Sequence, residues 1–194
     1  MKKSINSDIE RLLHQRLGKT VDPALGLIGT FSHIKHRAYF TRPEFLLMCR
    51  WKSPRPRRLY EANSSVEVRR VSVDVFASGC EKEKIGLLTS LKGVGLPTAS
   101  AILTLTDPEN YGVIDIRVWQ LLYDHQVVAS RPSGTGFSFD NWLEYLQAVR
   151  FWARKFKATA RAVEVVLFDY HKQKQEGRLY ATRSTHKDRA AITR

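Results

Sequence analysis

The sequence predicts an all-α protein arranged in two lobes, and three observations predict it. Two capping boxes open apolar segments, apolar residues recur mostly at helical spacing, and the C-terminal half holds two long amphipathic stretches. Ser7-Asp-Ile-Glu10 has the form of a capping box, with Ile9, Leu12, Leu13 and Leu17 following, so a first helix is expected from about Ser7. Residues 21–39 carry scattered Gly, Pro and His and read as a long loop with one short helix. Thr41-Arg-Pro-Glu44 is the second box and opens the apolar run 45–51. Ser53-Pro-Arg-Pro-Arg-Arg58 ends that helix, because a residue before proline avoids the α region.

A helix is expected over 65–77. Val66, Val71 and Val75 also allow a strand, but Arg69-Arg70 and the helical neighbours favour helix. Further helices are expected at 81–91, 96–105 and 115–123, then two long ones at 138–156 and 159–175. Trp142, Tyr145, Leu146, Val149 and Trp152 form an apolar stripe expected in the core. The loop 130–136 has two glycines but lacks the Gly-Lys-Ser/Thr ending of a phosphate loop, and reads as a connector. Residues 1–176 form one unit, with one lobe at about 60–130 and the other built from the N-terminal and C-terminal helices; 177–194 is a polar, basic tail.

Composition narrows the function classes. A hydrophobic fraction of 43% supports a buried core. Cys49 and Cys80 are too few for a disulfide framework, an iron–sulfur cluster or a four-thiolate zinc site. His33 and His36 have metal-like spacing without an accompanying Cys or carboxylate cluster, so no metal site is expected. No stretch reaches the ~20 apolar residues of a membrane span, and the first residues lack a signal-peptide core. The expectation is a soluble cytoplasmic chain, nucleoid-associated if bacterial, without a membrane partner and monomeric. The net charge is +13, with a sequence pI near 10.0. Self-repulsion of that size points to a polyanionic partner, and nucleic acid is the one favoured.

The informative segment is Leu91-Lys-Gly-Val-Gly-Leu-Pro-Thr-Ala99. Gly93 and Gly95 permit a tight turn between two helices, with Val94 plugging the gap between them. Such a helix-hairpin-helix exposes backbone N–H groups at a helix N-terminus, which suits a phosphate oxygen of DNA and reads no sequence. Pro97 fits the first helical turn, Thr98 offers a hydroxyl and Lys92 a charge. Downstream, Tyr111-Gly-Val-Ile-Asp115 places an aspartate before a helix, where its ordinary role is an N-cap.

Together these segments resemble the helix-hairpin-helix (HhH-GPD) DNA glycosylase superfamily, to which endonuclease III and the adenine glycosylases belong. Its members carry a Leu-Pro-Gly-Val-Gly-x-x-Thr-Ala hairpin followed by an essential Asp at a helix start. Residues 91–99 match the hairpin apart from Lys92 in a proline position, and Val113-Ile-Asp-Ile-Arg-Val118 matches the aspartate segment. Asp115 follows Pro97 by eighteen residues, the separation found in endonuclease III. The resemblance implies a two-lobed helical glycosylase-like fold and a base-excision hydrolase. Asp115 would stabilise the oxocarbenium-like transition state or activate water.

Pro97 stands where bifunctional members have their lysine, so the lysine-dependent lyase step should be absent and the enzyme monofunctional. Lys52 is another amine, which nothing in the sequence directs to the pocket. No cofactor is implied beyond a monovalent cation that family hairpins can hold, and the iron–sulfur loop is missing.

Base specificity should come from the segment upstream of the hairpin. Trp51 or Tyr60 could stack on a base or act as a wedge, with Lys52 beside them and Glu61 as a general acid for the leaving base. Arg55, Arg57 and Arg58 suit phosphates, and Arg150, Arg154, Lys155 and Lys157 can extend that surface. The competing readings are a non-catalytic helix-hairpin-helix DNA-binding protein and a component of a larger repair complex. A catalytic protein needs Asp115 facing an open pocket; a binder does not.

Overall fold

The computed structural model describes residues 2–176 and Leu179, with residues 2–6 described by their backbone alone. The basic tail expected at 177–194 otherwise lies outside the described residues. Every regular element described is helical. In chain order these are α1 (Lys2–Arg16), α2 (Leu25–Phe31), α3 (Ile34–Arg37), α4 (Arg42–Lys52), α5 (Arg57–Glu61) and α6 (Ser65–Ala77). They continue with α7 (Glu81–Thr89), α8 (Leu96–Thr106), α9 (Ile116–Asp124), α10 (Phe139–Phe156) and α11 (Ala160–Lys174).

The capping box at Thr41 forms. Glu44 Oε2 accepts from the Thr41 N–H at 2.7 Å and from its hydroxyl at 2.8 Å, and Arg37 pairs with the same carboxylate. Ser7 does not cap a helix: α1 starts at Lys2, and residues 2–6 contain no Pro or Gly to interrupt it. The loop expected at 21–39 holds two short helices, α2 and α3, the latter closed by Ala38 at φ 58°. The basic turn after α4 also coils into one short helix, α5.

α4 packs on α5, α6 and α8, and α7 packs on both α6 and α8. α11 packs on α1, α9 and α10, while α2 reaches α8. A single hydrophobic core runs through all of these contacts, including the predicted stripe of Trp142, Tyr145, Leu146, Val149 and Trp152. Burying aromatic side chains of this size contributes roughly 1.5–3 kcal/mol each before entropy is charged.

What matters for the site is the non-helical chain between α8 and α9. Tyr111 to Ile114 are buried, so their backbone polar groups need partners inside the protein. The Tyr145 hydroxyl donates to the Val113 carbonyl at 2.9 Å, and Ser100 Oγ accepts the Ile114 N–H at 3.1 Å. Glu164 accepts the Val113 N–H at 3.4 Å. Gly112 is required by close approach: a Cβ there would stand 2.9 Å from both Glu164 Cβ and the Tyr145 hydroxyl. α8, α10 and α11 thus clamp the segment that delivers Asp115.

Candidate active site

Asp115 is the N-cap of α9, and its Oδ1 accepts the Arg117 N–H at 3.0 Å. Its Oδ2 meets the Lys52 ammonium at 2.6 Å, forming an ion pair with side chains 18% and 17% exposed. Lys52 is the last residue of α4, which the extended Ser53 terminates ahead of Pro54. A helix end and a helix start, 63 residues apart, therefore bring opposite charges together at low exposure.

Two cavities meet at this pair. The larger, about 650 Å³, is an open cleft bounded by Arg55, Gly93, Gly95 and Pro97 on the hairpin side and by Gly134 and Phe137 opposite. The smaller, about 290 Å³, adjoins it on the α11 side, as the inner cavity, and is lined by Trp51, Val113, Val165 and Phe168 with Arg161 and Glu164. Lys52 and Asp115 line both.

The hairpin is built as its residues require. Val94 and Leu91 are buried between α7 and α8, and Asn63 grips the turn from behind. Its Oδ1 accepts the Lys92 N–H at 2.8 Å and its Nδ2 donates to the Lys92 carbonyl at 3.0 Å. Gly93 has φ +83°, and a Cβ there would stand 2.8 Å from Leu59 Cβ. Gly95 differs from the expectation of two unusual backbones, having φ −90° as the N-cap of α8. The N–H groups of Gly93, Gly95 and Leu96 have no acceptor among the described residues and sit at the positive end of an 11-residue helix.

The other sequence-predicted residues divide sharply. Lys92, Arg55 and Arg58 are exposed and carry no ion pair among the described residues. Arg57 is exposed but spends its Nε on Glu61 at 2.7 Å. Glu61 also holds Arg50 at 2.7 Å, lines neither cavity and is pulled below the usual carboxylate range chiefly by Arg57, so it is misplaced for protonating a leaving base. Tyr60 is fully buried under the hairpin, where it borders the floor of the cleft with its hydroxyl 3.4 Å from that of the buried Thr98, and it does not project as a wedge. Trp51 lies in the inner cavity with the Arg161 guanidinium 5.5 Å from its ring centroid. Of the four cations on α10 and its cap, Arg150 is tied to Glu81 at 2.8 Å and Lys155 to Glu10 at 2.6 Å.

Two features escaped the sequence. Gly134 to Gly136, part of the 130–136 loop expected to be a connector, form the far wall of the cleft together with Phe137. Glu164 and Arg161, on α11, form a buried network in which Arg161 also holds both oxygens of Asp22, at 2.7 and 2.8 Å. Burial pushes the Glu164 carboxyl up, while Arg161 and Lys52 pull it back down.

Comparisons of the chain with protein-family models, with curated proteins and with solved structures find no match.

Proposed function

We propose that this protein is a monofunctional DNA N-glycosylase that hydrolyses the bond between deoxyribose and a damaged or modified base. The observation that carries the reading is the Lys52–Asp115 pair, which lines both an open cleft beside the hairpin and a smaller cavity against α11. The open cleft also favours catalysis over the purely binding alternative, which would not need space at Asp115.

The chemistry matches the charges. When the C1′–N bond breaks, its electron pair leaves with the base and positive charge develops on the sugar. The Asp115 carboxylate faces that positive charge, and the adjacent Lys52 ammonium faces the negative charge growing on the base and can donate a proton to it. Water then adds to C1′ and passes a proton by way of the Asp115 carboxylate back to Lys52, leaving a free base, an abasic sugar and the ion pair restored. A partly buried, low-dielectric setting strengthens both interactions. The Gly93, Gly95 and Leu96 N–H groups would hold a phosphate, with Lys92, Arg55 and Arg58 adding charge. Base removal needs no metal ligand set in this scheme. A monovalent cation at the hairpin would act on binding alone.

The reaction stops at the abasic site. Pro97 offers no primary amine at the position where bifunctional members have one, and the Lys52 nitrogen is engaged by the Asp115 carboxylate. Incubation with a panel of modified duplexes, with mass spectrometry of released bases, should show one or a few bases freed. Strand breaks should then need alkali, and borohydride should trap no protein–DNA adduct. Absence of release from every duplex contradicts the glycosylase reading; an adduct lost in Lys52→Ala contradicts the monofunctional part.

A further inference from the structure

The inner cavity contains one acceptor that the protein leaves unused. Glu164 is 3% exposed, and its Oε2 takes both the Val113 N–H and the Arg161 guanidinium. Its Oε1 accepts no hydrogen bond among the described residues, although the side chain lines the cavity. That oxygen is therefore available to a ligand in the cavity, and one that brings an N–H would satisfy it.

The neighbouring cations are anchored on carboxylates. Arg161 places Nε and Nη2 on Asp22 and Nη1 on Glu164. Lys52 places one N–H on Asp115, which leaves its others for a ring nitrogen or carbonyl of the same ligand. The remaining walls are flat or apolar, with Trp51 and Phe168 contributing rings and Val113 and Val165 methyl groups. At about 290 Å³ the cavity sits at the small end of ligand pockets, suited to one ring system.

We propose that the inner cavity is the base-recognition pocket and that it selects bases bearing an exocyclic amino group, read by Glu164 Oε1. The proposal rests on the glycosylase reading for its place in catalysis, since the pocket opens onto the Lys52–Asp115 pair. It also gives the Arg161 contact a role: the guanidinium holds one carboxylate oxygen and leaves the other for the ligand. Glu164 is here a specificity residue and takes no part in bond breaking.

The test uses free bases, so it does not depend on base release from DNA. 2-Aminopurine binding to the full-length protein is followed by its fluorescence, and adenine, cytosine and unsubstituted purine are assayed as competitors. Amino-bearing bases should bind at least tenfold more tightly than purine. In Glu164→Gln the amide oxygen must serve Arg161 and Val113, which turns the amide NH₂ toward the ligand and should erase or reverse that preference. Equal affinity for purine and 2-aminopurine, no binding of any base, or an unchanged preference in Glu164→Gln overturns the proposal. Preference for amino bases without release from any duplex would leave the pocket standing and remove the glycosylase. Release from duplexes with no amino preference would do the reverse.

Discussion

On the proposed reading, one carboxylate, that of Asp115, serves a fold and a reaction together. One oxygen caps α9 and fixes the side chain, which leaves the other free to meet Lys52. Pre-organisation of this kind is what electrostatic catalysis requires, because a group already aimed pays no reorganisation cost during the reaction. Lys52→Met should lower base release by about 10²- to 10³-fold, the usual loss for one electrostatic partner, while Lys52→Arg retains part of it. Single-turnover release assays check both, and full activity in the methionine variant would remove Lys52 from the mechanism. Asp115 was legible because a hairpin and an aspartate at fixed spacing form a local pattern. Lys52 was not, because nothing local links position 52 to position 115. Glu164 was hidden in another way: with Arg161 it reads as an ordinary i,i+3 surface pair, and only packing reveals that both are buried.

At the scale of the elements, α4 and the hairpin carry the site. α4 is anchored at its start by Glu44, whose carboxyl burial would raise but the Thr41 N–H and Arg37 hold down at about 2. A depressed carboxyl stabilises the fold above its unfolded value of 4.5 and loses that contribution as pH falls from 4.5 towards 2. The urea midpoint should therefore drop over that window, and Glu44→Gln should flatten the drop; an equally steep fall in the variant would contradict it. In the hairpin the two glycines are unequal. Gly93→Ala forces a left-handed alanine against Leu59 and should cost about 1–3 kcal/mol together with DNA affinity. Gly95→Ala meets nothing closer than 3.9 Å and should change stability by less than about 0.5 kcal/mol, as thermal unfolding of the two variants would show. The Thr41 box and the boundaries of α6 were readable because caps and breakers act within a few residues. The same rule misplaced the start of α1, where no breaker precedes Ser7, and the 130–137 loop joined the cleft through tertiary packing alone.

For the whole molecule, the proposal has the charge of +13 attract a polyanion and the site hold it in place. Arg55, Arg58 and Lys92 surround the hairpin without ion pairs among the described residues, whereas Arg57, Arg150 and Lys155 are spent on carboxylates. DNA affinity should fall linearly with salt on logarithmic axes, and replacing any of the three unpaired cations should reduce the slope by about 1. Replacing Arg150 should leave the slope unchanged, and a loss there equal to that for Arg58 would contradict this division. Net charge was legible from composition, but which cations are free is decided by the fold.

The central claim is that Asp115 performs chemistry at a phosphate-clamping hairpin. The most direct test compares wild type with Asp115→Asn on a duplex from which the wild type releases a base, measuring release and DNA affinity in the same buffer. Release should fall by at least about 10²-fold with affinity nearly unchanged. Unchanged release, or a parallel loss of binding that accounts for the whole effect, would contradict it.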